Sequence, residues 1–493
     1  MIYLVLLYLL LYFFLAWRRL DWAVLIIIAA LPSYLIRFKI FSAPFTLLEV
    51  MILISFGAWF LKNYKKIIEN LKLRIKNRIR NSELGIRNFR RYPFDVEIIL
   101  LLIISFSAVG ISGFSDSALG IWKAYFFEPI LLFIIIINVF KASDIGKIIW
   151  AFLISALAVS LAAVYQKITG SFIFNEFLSA EETRRVVSFF GYPNAVGLYL
   201  GPVILLLLGF LAEKIRFFKN QKSDKDRKIF NFQFSIFNFK TLIIFLAITF
   251  SVVAVYFAKS EGALVGIGAG LIVFGLLAGK KLRLITIALV LLVAVAASFY
   301  QPVRYTAYKY LALNNFSGQI RKLQWRETWK MLKDGRIITG AGLANYQKSV
   351  APYHQEGFFY NQYDDPDFRH KVISDPQFRK KVWQPLEIYL YPHNIFLNFW
   401  SELGLPGMIL FVWITGNFFY VGLKIIENCK LKIENFKMFK EKYIIFGLLG
   451  AMTVIVIHGL VDVPYFKNDL AVIFWVLVAM LGIIDLEIKK SKV

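Results

Sequence analysis

The sequence predicts an all-α membrane protein that crosses the bilayer many times. Its 493 residues are 58% hydrophobic, whereas soluble globular domains are about 45–50% apolar. Its mean hydropathy is +0.62. Apolar runs that can cross a hydrocarbon core of about 30 Å recur along the chain. These observations predict about 12–13 transmembrane helices, together with one large extracytoplasmic loop domain.

The predicted spans lie in both halves of the chain. They are 2–16, 22–36, 44–61, 95–113, 120–140, 147–166, 192–212, 241–258, 261–278, 284–299, 403–423, 443–463 and 468–486. The first run lacks the positively charged start of a secretory signal and is followed by further spans, so we expect a retained helix. Residues 392–402 could form a partial or re-entrant segment.

Basic segments follow alternate spans. They are 62–93, 213–240, 280–283, 424–442 and the C-terminal tail. The positive-inside rule assigns all of them to the cytoplasm and predicts a multi-pass protein of the cytoplasmic (inner) membrane. The resulting regions are N-terminal transmembrane helices (1–299, with basic insertions 62–93 and 213–240), a large extracytoplasmic loop (300–392), and C-terminal transmembrane helices (393–493, with insertion 424–442).

The net charge of +25 does not indicate nucleic acid binding, because most basic residues border membrane spans. The similar stretches 67–77 and 425–435 are interpreted as basic insertions beside anionic membrane lipids, with a specific lipid or partner site as the alternative. Cys429 is the single cysteine, so an intramolecular disulfide is excluded.

A first candidate site is TRRVVSFFGYPNAVGLYL, residues 183–200. Arg184 and Arg185 precede a predicted helix start, where Pro193 suits the first turn and Asn194 can cap free amides. An arginine beside a helix N-terminus at the bilayer surface forms an anion site. The alternative is that both arginines extend to lipid headgroups.

A second candidate is a basic amphipathic helix predicted within 317–346, ending near Asp334. Arg321 and Trp325 are four residues apart and share a face, and Arg326 lies on a neighbouring face. This surface is either a ligand site or an interfacial helix on anionic lipid.

The third candidate is YPHNIFLNFWSELGLPG, residues 391–407. His393 stands at the outer end of a predicted helix, where the positive terminus keeps the imidazole neutral and able to accept a proton. The alternative is an interfacial histidine bonded to water. Glu402 lies on the opposite face, so we expect it to cap amides exposed at the break between Gly404 and Gly407.

Other polar residues are weaker candidates. His458 and Asp462 are four apart and are expected to form a hydrogen-bonded pair. The aspartates in 364–367 are interpreted as a solvated turn, with a divalent metal as the alternative. Gly340-Ala341-Gly342 does not continue into a dinucleotide motif, because Asn345 occupies its last position. The sequence contains no motif typical of nucleotide use or zinc binding.

Taken together, the three stretches resemble the O-antigen ligase and O-antigen polymerase family of bacterial surface-glycan assembly. The resemblance rests on Arg185, Gly191-Tyr192-Pro193-Asn194, Arg321, Trp325, Gly340-Ala341-Gly342, His393-Asn394, Leu397, Glu402, Gly404, Gly407 and Asp462. Their order, spacing and predicted outward placement match over residues 180–470. Ser260-Glu261 departs from the Ser-Arg of many relatives.

The resemblance implies an inverting glycosyltransferase that needs no metal, nucleotide or other cofactor. It would transfer a glycan from a polyprenyl diphosphate carrier to a hydroxyl of a glycan, lipid or protein on the outer face of the cytoplasmic membrane. Arg185 and Arg321 would hold the diphosphate, and His393 would be the general base. The expected substrate contacts are Arg184, Asn194, Trp325, Arg326, Asn394 and Asp462, and the expected structural residues are Glu402, Gly404 and Gly407.

Within this family we favour a polymerase over a ligase, and the alternative function is a transporter or flippase of lipid-linked glycans. A transporter should carry ionisable residues at mid-membrane, in broken helices of matched halves. The charged candidates here lie instead at the outer surface beside a large loop, which favours the enzyme.

Overall fold

The computed structural model describes residues 2–40, 43–80, 93–221, 239–431 and 441–490. Long apolar helices dominate these residues, and the predicted all-α polytopic membrane fold is confirmed. The basic insertions 62–93, 213–240 and 424–442 lie partly outside the described residues.

The helices up to residue 299 form most of the bundle. They are α1 (Ile2–Arg18), α2 (Leu20–Ala29), α3 (Leu47–Arg80), α4 (Asp95–Ile111), α5 (Asp116–Trp122), α6 (Glu128–Val139), α7 (Ile145–Thr169), α8 (Glu176–Ser179), α9 (Pro193–Gln221), α10 (Phe239–Phe257), α11 (Glu261–Leu277) and α12 (Lys280–Phe299). A π-helical turn, Lys123–Phe127, joins α5 to α6.

The remaining helices belong to residues 300–392, named the outer region after the membrane side that the sequence predicts for it, and to the C-terminal part of the bundle. They are α13 (Gln301–Leu311), α14 (Phe316–Met331), α15 (Tyr346–Val350), α16 (Phe368–Ser374), α17 (Pro376–Val382), α18 (Ile395–Leu431), α19 (Lys442–His458) and α20 (Asn468–Lys490). Two antiparallel strand pairs add the only strands among the described residues: β1 (Arg37–Ile40) with β2 (Ala43–Thr46), and β3 (Gly357–Phe359) with β4 (Trp383–Pro385).

Eight helical segments in the described chain are long and apolar enough to cross a membrane. They are Leu47–Lys66, Asp116–Val139, Ala142–Thr169, Pro193–Arg216, Phe239–Phe257, Lys280–Phe299, Ile395–Asn428 and Asn468–Lys490. Shorter apolar helices are Tyr3–Arg18, Leu20–Ala29, Glu261–Leu277 and Lys442–His458. Helices thus occupy every predicted apolar range, although several are shorter than a full span.

The predicted span 22–36 is wrong in its second half. Helix α2 ends at Ala29, and a 3₁₀ turn, Leu31–Leu35, leads into the hairpin β1–β2. Pro32 causes this change, because proline has no amide hydrogen and cannot continue the interior of a helix.

Helices α9, α11 and α19 pack closely at glycines. A Cβ added at Gly209 would lie 2.5 Å from the Tyr443 carbonyl oxygen, and one at Gly270 would lie 2.9 Å from the Gly450 carbonyl oxygen. Small residues at such crossings let helix backbones approach each other, which is how helices associate within a membrane. The three helices therefore form a tight centre against which the site segments are placed.

The outer region, residues 300–392, is folded rather than an open connector. Helix α14 lies within the predicted helical stretch and is followed by non-helical backbone at Asp334 and Gly335. Beyond them, the chain enters the transmembrane bundle, where the Leu343 amide donates to the Ala108 carbonyl of α4 at 3.2 Å.

The outer region also docks into a break in α18. Gly404 interrupts this helix with φ 74°. On either side of it, the Ala341 amide donates to the Ser401 carbonyl at 2.6 Å, and the Leu405 amide donates to the Ile337 carbonyl at 3.1 Å. The break is therefore closed by backbone from the outer region.

Glu402 has a different partner from the one predicted. Its Oε2 accepts a hydrogen bond from the Ala344 amide at 2.9 Å. The expected cap on the amides of 404–407 is not formed, because the Leu405 amide is already bonded to Ile337. Through its bond to the Ala344 amide, Glu402 instead links the outer region to α18.

We expect Gly404→Ala to destabilise the protein. The new Cβ would lie 1.9 Å from the Ile338 carbonyl oxygen, in a backbone conformation that L-residues rarely adopt, so the free energy of unfolding should fall by about 1–3 kcal/mol or more. Gly416→Ala is the matched control, because it lies in the same helix with open space around it. Thermal unfolding in detergent, followed by tryptophan fluorescence, would contradict the prediction if the two variants had equal midpoints.

Candidate active site

Three separate segments of the chain meet around Asp462. Arg185 Nη2 donates to Asn194 Oδ1 at 3.4 Å, and Asn194 Nδ2 donates to Asp462 Oδ2 at 3.3 Å. The buried Asp462 is also close enough to act electrostatically on Arg321 and His393. The structure thus brings Arg185, Arg321 and His393 into one site.

Arg185 is fixed at the carbonyl end of α10. Its Nε donates to the Ala258 carbonyl at 3.0 Å, and its Nη2 donates to the Lys259 carbonyl at 3.3 Å. The negative end of a helix favours a cation. Burial nevertheless lowers the pKa of Arg185, and Glu261 opposes this effect. Within the described residues Nη1 makes no hydrogen bond, so one donor group is free for a ligand.

Arg321 projects from α14 as a half-buried cation. Burial lowers its pKa, while the nearby carboxylates of Asp462 and Glu261 favour its charged form. In the described part of the chain its guanidinium makes no hydrogen bond or ion pair. A desolvated guanidinium with free donors is suited to a carboxylate or phosphate ligand.

His393 is held just before α18 in an unusual backbone conformation. Its φ is 46°, in the left-handed region that non-glycine residues seldom occupy. Nδ1 lies 3.0 Å from Gln324 Oε1. In this orientation of the Gln324 amide, Oε1 can only accept a hydrogen bond, which corresponds to the tautomer with the proton on Nδ1 and a lone pair on Nε2.

The surroundings of His393 favour the neutral imidazole. The rings of Tyr389 and Tyr391 contact it edge-on at 5.2 and 5.0 Å between centroids. Burial lowers the pKa of His393; Asp462 opposes this shift and Arg321 adds to it. The side chain is therefore able to accept a proton near neutral pH.

Two predicted substrate contacts have roles in holding this loop. Trp325 Nε1 donates to the Pro392 carbonyl at 2.8 Å. Asn394 Oδ1 accepts from the Leu397 amide at 3.0 Å, and its Nδ2 donates to the Leu460 carbonyl at 3.0 Å. Asn394 is thus the N-cap of α18. Together these bonds fix the backbone on both sides of His393.

Two other predicted contacts make no hydrogen bond to Arg321, His393 or Asp462 in the described residues. Arg184 donates from Nε to the Ser179 carbonyl and from Nη1 to the Lys167 carbonyl, at 3.0 and 3.1 Å, and so closes the turn after α7. Arg326 is exposed.

The predicted hydrogen bond between His458 and Asp462 does not form. Helix α19 ends at His458, and the chain turns at Gly459, so the four-residue spacing does not place the two side chains on one helical face. Asp462 bonds instead to Asn194 and to the Val463 amide. His458 Nδ1 is buried and has no hydrogen-bond partner in the described residues.

Sequence reasoning missed two residues near His393. Gln324 follows Arg321 by three positions on α14, a spacing that places both on one helical face and could have indicated it. Lys467 follows Asp462 by five positions and lies against Tyr192. The signal for Lys467 was a cation directly before an apolar span.

The aspartates of the outer region form local contacts. Lys371 Nζ pairs with Asp365 Oδ2 at 2.5 Å, and the Tyr305 hydroxyl donates to Asp364. Among the described residues, no group of three or more His, Cys, Asp or Glu side chains is placed to hold a metal ion.

One family model matches the chain, and it includes two of the three converging residues. The model is described as O-antigen ligase and covers residues 245–412, which contain Arg321 and His393 but not Arg185 or Asp462. No curated protein matches the chain. The family match indicates glycosyltransferase activity of the ligase or polymerase type in a membrane, with a lipid-linked glycan donor and a glycan acceptor. It supports the assignment of this chain to the O-antigen ligase and O-antigen polymerase family.

Proposed function

We propose that the protein transfers a glycan from a polyprenyl diphosphate carrier to an acceptor hydroxyl, by direct displacement with inversion at the anomeric carbon. The observation that carries this proposal is the convergence of Arg185, Arg321 and His393 around Asp462. Two cations beside a neutral imidazole suit a reaction in which a dianionic group leaves as a hydroxyl attacks.

The arginines would bind the diphosphate. Guanidinium groups match phosphate oxygens with paired donors, and Arg185 Nη1 and the whole Arg321 guanidinium are free of protein partners in the described residues. Negative charge grows on the leaving diphosphate as the glycosidic C–O bond breaks. Preorganised donors in a desolvated site stabilise such developing charge most strongly.

His393 would take the acceptor's proton. Nδ1 is bound to Gln324, so the Nε2 lone pair would remove the hydroxyl proton while the acceptor oxygen forms a bond to the anomeric carbon. The displaced bond is that between this carbon and the diphosphate oxygen. The products are the elongated or newly attached glycan and polyprenyl diphosphate, and neither a metal nor a nucleotide takes part.

We place this chemistry on the outer face of the inner membrane, with residues 300–392 extracytoplasmic, because the basic segments of the sequence favour the opposite side for the cytoplasm. Among acceptors we favour a growing glycan, which makes the protein a polymerase. The competing function is transport of the lipid-linked glycan. Arg185, Arg321 and His393 lie outside the candidate membrane spans, which supports an enzyme over a transporter.

The first prediction concerns the roles of His393 and Arg321. Purified protein in detergent should transfer glycan from a polyprenyl diphosphate donor in the presence of chelator and without nucleotide. His393→Asn should lower kcat by about 10²–10⁴ while keeping donor affinity, because asparagine tolerates positive φ but is not a base. Arg321→Ala should lose about 10²–10³ in kcat, and Arg321→Lys should recover only part of it.

Product analysis by mass spectrometry with glycan, lipid and peptide acceptors would identify the acceptor class. Lys333→Met is a control, since Lys333 contacts the exposed Trp329 outside the site. Wild-type activity in His393→Asn would contradict the assigned base. Donor binding and bilayer crossing without transfer to any acceptor would favour the transporter.

The second prediction concerns Gln324 and pH. Only neutral His393 accepts a proton, and its pKa is lowered, so kcat/KM should fall only as the pH drops below about 6.5, the ordinary histidine value. Gln324→Glu places a carboxylate against Nδ1 and stabilises the imidazolium. The acid limb of the pH profile should therefore move to higher pH.

Gln324→Leu is the matched variant for this test. It removes the acceptor without adding charge, so the acid limb should not move to higher pH, while kcat should fall by about 10–100-fold because the ring tautomer and orientation are no longer fixed. Equal shifts of the acid limb in both variants would contradict the proposed contact.

A further inference from the structure

Lys467 occupies an aromatic enclosure next to the proposed catalytic groups. Its Nζ lies 4.6 Å from the Tyr192 ring centroid, 5.2 Å from that of Phe190 and 5.6 Å from that of Tyr34. Within the described residues this ammonium makes no hydrogen bond and no ion pair. An ammonium has three donors, and three surrounding rings satisfy none of them in a directional way.

Two more polar atoms beside Lys467 lack partners in the described chain. The Tyr34 hydroxyl and Asp469 Oδ1 are buried without hydrogen bonds, in residues that are 3% and 1% exposed. Lys467 lies against the Tyr34 ring, and Asp469 is within electrostatic range of both Tyr34 and Lys467. Buried polar groups are usually hydrogen-bonded, and leaving one unpaired costs about 1–3 kcal/mol.

The combination of these groups discriminates between ligands. Lys467 can only donate and an ionised Asp469 can only accept, while Tyr34 can do both. A phosphate diester supplies acceptors alone, so it could bond to Lys467 but could not donate a hydrogen bond to Asp469. Sugar hydroxyls both donate and accept, and the apolar face of a sugar ring packs against aromatic rings. A polyhydroxyl ring therefore satisfies all three polar groups.

We propose that Lys467, Asp469 and Tyr34, with the rings of Phe190 and Tyr192, form a binding subsite for one sugar ring of the glycan. This inference rests on the proposed glycosyl transfer and adds a binding position for one sugar ring of the substrate. The subsite lies close to the proposed base, because Tyr192 interacts electrostatically with Tyr391 and Tyr391 contacts His393. The ring comes from either the donor or the acceptor glycan.

Steady-state kinetics with Lys467→Met and Asp469→Asn test the subsite. Each should raise the KM for one substrate at least about tenfold, as expected when a sugar hydroxyl loses its partner. A raised KM for the glycan acceptor assigns the ring to the acceptor, and a raised KM for the glycan donor assigns it to the donor. Affinity for polyprenyl diphosphate without a sugar should not change. Lys333→Met serves again as the control.

The Tyr34→Phe variant distinguishes a loss of sugar binding from a loss of stability. The lost hydroxyl has no protein partner in the described residues, so the thermal midpoint should hold or rise while the sugar KM rises. Unchanged KM values in all three variants would overturn the proposal. So would binding of inorganic diphosphate that depends on Lys467, because it would identify an anion site.

A direct binding measurement tests the subsite independently of catalysis. Saturation-transfer NMR with a soluble oligosaccharide should give contacts in wild type that Lys467→Met and Asp469→Asn lose. If wild type binds the oligosaccharide in this way but transfers nothing, the subsite stands and the proposed reaction fails. Oligosaccharide contacts that are equal in wild type and both variants would overturn the subsite.

Discussion

The backbone contact between the outer region and the break in α18 is the constraint on which the site depends. Arg321 and Gln324 belong to α14 in the outer region, whereas His393 begins the segment that becomes α18. The bonds from Ala341 to Ser401 and from Leu405 to Ile337 join these two parts. Because the contact is made by main-chain atoms around Gly404, it fixes distance without depending on side-chain rotamers. The backbone contacts therefore place the His393 imidazole beside the Gln324 side-chain amide.

Charge in the site is balanced around a single buried carboxylate. Asp462 bonds to Asn194, which in turn bonds to Arg185, and it favours the charged form of Arg321. Glu261 also favours the charged form of Arg185 and of Arg321. Asp462 is linked to Arg185 only through Asn194 and makes no hydrogen bond to Arg321 in the described residues, so the donors of Arg321 stay unoccupied. This arrangement leaves positive charge available to a ligand.

Much of the architecture was predictable because a bilayer imposes simple rules on sequence. Apolar length located the helices, and the family resemblance pointed to Arg185, Arg321 and His393, but the sequence did not show that these residues meet in space. The contacts between segments were not predictable. Nothing local indicates that Arg184 turns back to Lys167, or that α19 stops at His458. Such facts depend on where helices end and how they cross, and spacing along one chain does not encode them.

The backbone conformation at His393 also limits which residue types can occupy this position. With φ at 46°, residue 393 lies in a region where glycine, asparagine, aspartate and histidine are tolerated and β-branched residues are not. Selection at this position therefore acts on conformation as well as on chemistry. A random substitution library here would contain mostly inactive members, and many of them would be inactive because the loop cannot close. Only the few residues that accept the left-handed conformation would report on the proposed proton transfer alone.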